Sequence, residues 1–65
     1  MKFDLNPLPG YMITPLLRWC YDSDIDRQNV IRVVAAMNVV PVPVNFDWSL
    51  EVTEEQATWI ALRWL

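Results

Sequence analysis

Histidine is absent from the sequence, and cysteine and glycine each occur once. Without histidine, the side chain that most often carries protons near neutral pH is missing. Cys20 cannot close a disulfide within the chain, and as a nucleophile it lacks an imidazole base. A zinc shell built from Cys and His needs several such ligands in one place, so a metal site is not expected. Gly10 is the single residue able to take positive φ at almost no cost. An enzyme or a cofactor-binding protein is therefore not expected from this composition.

Positive charge is also scarce. Five basic residues, Lys2, Arg18, Arg27, Arg32 and Arg63, face eight acidic ones, for a net charge of −3. Nucleic-acid binding normally rests on a basic patch. Only Arg27 and Arg32 come close to one, so a small nucleic-acid binder stays an alternative to a protein binder. No apolar run reaches the ~18 residues of a membrane span. The opening "MKFDLNPLPG" has an early aspartate and two prolines where a signal peptide would be apolar. With a single cysteine, the expectation is a cytoplasmic protein without a membrane partner.

What the chain has is apolar surface. Its 65 residues suit one domain, 1–65, yet 54% are hydrophobic and four are tryptophan. A chain this short buries only about 60% of the surface its unfolded form exposes. Such domains usually need a disulfide, a metal or a partner. The first two lack residues, which leaves a partner, including a second copy of the chain.

Local signals place the elements. Phe3 and Leu5 alternate with polar neighbours in a short strand, and "NPLPG" ends it in a turn. Thr14 suits a helix cap and Pro15 a first helical position, with Leu16, Leu17, Cys20 and Tyr21 on one face as far as Asp22. A second helix to about Asn38 starts in "DSDID", with Ser23 or Asp24 as cap. Val30, Val33, Val34 and Met37 form its apolar stripe. The β-branched pairs Val30-Ile31 and Val33-Val34 also suit a strand. Val42–Val52 alternates with period two, placing Val42, Val44, Phe46, Trp48, Leu50 and Val52 on one side. Pro41 and Pro43 restrict the first half to a sheet edge. Thr53 and Gln56 make a capping box, with Val52 and Ala57 as a hydrophobic staple. The helix that follows has a stripe of Ala57, Ile60, Ala61 and Trp64, widened by Trp59, Leu62 and Leu65.

The expected fold is α+β, with two or three short helices on a small sheet whose main strand is Val42–Val52. One strand and a poor second are too few for a stable sheet. The region around Val30–Val34, a second copy or a partner strand is needed to complete it.

Asp22, Asp24 and Asp26 echo the first ligands of a calcium loop. The sixth and twelfth positions are Arg27 and Val33 instead of glycine and glutamate, so no metal is expected there. A solvated capping turn and an acidic contact surface both fit these residues.

"LLRWCYD", Leu16 to Asp22, and "VPVNF", Val42 to Phe46, resemble two stretches of protease adaptors of the stringent starvation protein B type. The family's glycine-containing turn after the second stretch is absent. The resemblance implies a strand through Val33 and Val34, peptide binding and dimerisation.

The functional expectation is a stoichiometric protein-interaction module: an adaptor, modulator or inhibitor that also self-associates. An assembly subunit of a larger complex is the other alternative. Trp19, Trp59 and Leu62 are the expected anchors, and Asp22, Asp24 and Asp26 orient the partner by charge. Phe46 and Trp48 belong to the Phe46–Val52 pairing edge.

Overall fold

The computed structural model of the chain describes residues 1–39, 41 and 44–65. The order is β1 (Lys2–Asp4), α1 (Gly10–Asp22), α2 (Arg27–Met37), β2 (Ser49–Glu51) and α3 (Glu54–Trp64). Three helices pack against a two-stranded antiparallel sheet, in agreement with the expected α+β class. The strands pair Lys2 with Glu51, Phe3 with Leu50 and Asp4 with Ser49. Bonds from Leu5 N–H to the Trp48 carbonyl (2.9 Å) and from Val52 N–H to the Met1 carbonyl (2.8 Å) extend the ladder at both ends.

The alternating stretch is strand over a shorter length than its pattern suggests. Ser49–Glu51 alone lies in the ladder, Val44 and Asn45 form a turn, and Val42 and Pro43 lie outside the described residues. The physical reason is the partner. β1 has three residues before the chain turns at Asn6 and Pro7, so a longer β2 would have no ladder to join. The alternation still governs burial. Leu50 and Val52 enter the core, and Phe46 and Trp48 pack against it. Val44, at 97% exposure, falls out of the pattern.

Helix α1 begins one turn before the predicted cap. Gly10 is its first residue, Pro9 holds the capping position without a side-chain bond, and Pro15 lies inside the helix. Pro15 has no N–H to offer the Tyr11 carbonyl. Ile13, in this first part of the helix, packs against the core and favours the helical path despite the lost bond. Leu16, Leu17 and Cys20 are buried as their spacing predicts, whereas Tyr21 turns outward.

The region Val30–Val34 is helical, as part of α2, so neither the strand alternative nor the strand implied by the adaptor resemblance is realised. Val30, Val33 and Ala36 face the core. Val34 and Met37, predicted on the same stripe, are exposed. Neither Ser23 nor Asp24 caps α2. Asp26 occupies the capping position at φ 46°, and its side chain makes no capping bond. Asp24 is also left-handed, at φ 59°. Aspartate tolerates this conformation better than most residues, which lets a turn without glycine bury Ile25 beneath it.

Helix α3 follows its local code closely. Thr53 Oγ1 accepts the Gln56 N–H at 3.1 Å, and Gln56 Oε1 accepts the Thr53 N–H at 3.0 Å. Glu54 and Glu55 in the first turn and Arg63 in the last complement the helix dipole. Ile60 is fully buried, Ala57 and Trp64 pack against the core, and Ala61 is exposed. Among the described residues, no helix is long and apolar enough to cross a membrane.

Candidate protein-binding surfaces

Partly buried charged side chains beside β2 serve the fold itself. Asp26 Oδ2 accepts the Glu51 N–H at 2.6 Å and the Asn29 side-chain amide at 2.7 Å. Arg32 donates to the Ser49 carbonyl at 3.1 Å and to Asn29 Oδ1 at 2.7 Å, and its guanidinium lies 4.6 Å from the Phe46 ring centre. These contacts occupy the edge of β2 that faces away from β1. A strand from another molecule would have to displace both α2 side chains to pair there. Of the pairing edge expected along Phe46–Val52, the Ser49 carbonyl and the Glu51 N–H are therefore occupied from within the chain.

Arg27 is similarly engaged. Its Nε donates to the Tyr21 carbonyl at 2.8 Å, lies 3.5 Å from Asp24 Oδ1, and the guanidinium sits over the Tyr21 ring. Of the pair considered for nucleic acid, Arg32 commits two donors to the fold, whereas Arg27 commits Nε and stays about half exposed. Asp47 accepts from the Ser49 hydroxyl at 2.8 Å and pairs with Lys2 at 3.2 Å. The Ser49 hydrogen bond first, then Lys2, holds the Asp47 carboxyl below its ordinary range.

The predicted anchors, together with Phe46 and Trp48 of the predicted pairing edge, separate into two groups. Trp19 meets Trp64 edge-on at 6.3 Å, which pins it between α1 and α3. Phe46 meets Trp48 edge-on at 4.5 Å, and both lean on the core. Trp19, Phe46 and Trp48, like Trp64, are half-buried and belong largely to the fold. Trp59 and Leu62 stand out from it, at 43% and 82% exposure. Spaced three residues apart, they and Leu65 just past the end of α3 run as an apolar strip along the exposed side of the helix, away from Ile60. Among the predicted aspartates, Asp22 and Asp24 are exposed while Asp26 is half-buried in its bonds to β2 and α2.

A second apolar surface, between α1 and α2, lies outside the predicted set except for Asp22. It is an open groove of about 380 Å³ whose exposed lining includes Tyr21, Ile31 and Val34. The adjacent β-branched pairs in α2 were its signal. Two neighbouring apolar residues point 100° apart on a helix, so both cannot face one core. A smaller cavity of about 220 Å³, lined by Leu5, Asn6, Ile13 and Trp48, has one polar side chain.

Groups suited to chemistry do not converge. Among the described residues, no three Cys, Asp or Glu side chains come together as a metal site. The Cys20 thiol is buried, and desolvation pushes it from 9.0 up to about 11. Compared with known proteins, the chain matches no family model, and no curated protein or solved structure is significantly similar to it.

Proposed function

We propose that the chain is a stoichiometric protein-binding module, an adaptor or modulator, whose partner docks on the outer face of α3. The observation that carries this reading is the strip of Trp59, Leu62 and Leu65. The capping box fixes the first turn of α3, and the buried Ile60 turns one side of the helix to the core, which leaves the strip outward. A preorganised aromatic and aliphatic surface is the kind that binding energy concentrates on. Glu54 and Glu55 in the first turn of the same helix supply charges for orientation, whereas Arg63 lies over the Trp19 and Trp64 rings.

The test compares the chain with its Leu62→Glu and Trp59→Ala variants as bait in lysate from cells that express it naturally. Both variants should fold normally, because these side chains are exposed. A protein retained in equimolar amount by the wild type and lost by both variants supports the reading. A wild-type chain that retains none and sediments as a monomer refutes it. Regular, high-order particles in place of a defined complex would favour the assembly-subunit alternative.

A further inference from the structure

Where α1 meets α2, the groove of about 380 Å³ has Leu17 and Val30 at its base and Tyr21, Ile31 and Val34 along its sides. A second depression of about 210 Å³ shares Leu17 and Val34 with it and continues the apolar surface to Met37. Ile31 is 57% exposed, and Tyr21, Val34 and Met37 are exposed as well. The α2 residues that line the groove, Val30, Ile31 and Val34, are uncharged, and Arg27 lies beside it over the Tyr21 ring. On the α1 side stand two charges, Arg18 and Asp22. Among the described residues, no ion pair or side-chain hydrogen bond engages either of them.

We infer that a second copy of the chain covers this groove, related by a two-fold axis that sets Arg18 of each copy against Asp22 of the other. This inference goes beyond the α3 reading above and names a separate surface used for self-association. A two-fold axis makes any residue pair meet twice, with the roles exchanged. Arg18 and Asp22 are four residues apart, so they share one face of α1. Two α1 helices crossing antiparallel midway between them bring each arginine to the opposite aspartate, twice. A parallel crossing would set like charges together. The same rotation lays the uncharged flank of one groove on that of the other, burying Ile31, Val34 and Tyr21. The seam thus has an apolar centre and a self-complementary pair of charges beside it, the composition expected of a specific interface. The strip on α3 does not line this groove and stays free for a different partner.

Sedimentation equilibrium of the full chain from low to high micromolar concentration tests the arrangement. The wild type should dimerise. Ile31→Glu should weaken the dimer at least tenfold while leaving the far-UV circular dichroism unchanged, and Leu62→Glu should leave the dimer intact. Arg18→Asp and Asp22→Arg should each weaken it roughly tenfold at low salt, since each converts two attractions into two repulsions. An equimolar mixture of these two variants should recover a heterodimer, because one chain then presents only acids and the other only bases. A wild type that stays monomeric at high micromolar concentration overturns the inference. So does a dimer indifferent to Ile31→Glu, or a mixture that associates no better than its components. A monomer that still retains a partner through Leu62 removes the groove assignment alone. A groove-dependent dimer that retains nothing on α3 removes the α3 reading alone.

Discussion

Asp26 reaches from the start of α2 to the edge of β2, where its carboxylate accepts the Glu51 N–H at 2.6 Å. The same oxygen accepts the Asn29 side-chain amide. Asp26 therefore closes a sheet edge, joins that edge to α2 and occupies a left-handed turn position at once. Arg32 secures the neighbouring Ser49 carbonyl in the same way.

Asp26→Ala should destabilise the chain by about 1–3 kcal/mol, through loss of a charge-assisted hydrogen bond and the penalty of alanine in a left-handed conformation. Asp26→Asn keeps an acceptor and tolerates the backbone, so its loss should be smaller. Urea unfolding of the two variants checks the order, and equal losses would contradict it.

Pro15→Ala should stabilise the chain. It supplies the missing N–H for the Tyr11 carbonyl and removes a residue that costs about 3 kcal/mol in a helix interior. Greater freedom of the unfolded chain returns part of this, leaving a net gain of roughly 1–2 kcal/mol. A lowered urea midpoint would mean that the segment from Gly10 to Thr14 is not helical.

The core and the α3 strip should respond oppositely to truncation. Ile60→Ala removes a fully buried side chain and should cost about 2–5 kcal/mol. Leu62→Ala, at an exposed position of the same helix, should stay within about 0.5 kcal/mol. Thermal unfolding of both at a concentration where the chain is monomeric measures the contrast.

Alkaline pH should expose the role of Cys20. The folded state holds its thiol at about 11 against an ordinary 9.0, so the folded chain keeps the proton longer than the unfolded chain. The associated stability is whole below pH 9.0 and is lost as pH rises toward about 11. Cys20→Ala should flatten the decline in urea stability over that interval. In the wild type at pH 8, iodoacetamide should modify Cys20 far more slowly than it does in urea.

Asp47 should titrate below the ordinary carboxylate value of 3.8, with Ser49 as the main cause. Its contribution to stability is present above that value and is lost as pH falls through the lower folded one. In Ser49→Ala, the Asp47 carboxyl carbon, followed by NMR, should titrate closer to 3.8.

Local signals in the sequence determined the helices and their approximate extents. The Thr53–Gln56 capping box, the 3.6-residue spacing of Leu16, Leu17 and Cys20, and that of Val30 and Val33 each lie within a few turns of chain. Neighbouring backbone alone can satisfy such signals. The α+β class and an apolar surplus in α3 were legible for the same reason.

Tertiary structure decided the rest. How long β2 is depends on the length of β1, which comes from the opposite end of the described chain. Whether the β2 edge is open depends on Asp26 and Arg32, side chains of a different helix. Which of the adjacent pairs Val30-Ile31 and Val33-Val34 faces inward depends on where α1 lies, and that choice exposes Ile31 and Val34 along the groove. Periodicity states that a helix has an apolar side, but only packing selects which part of a wide apolar arc is covered and which is left for another molecule.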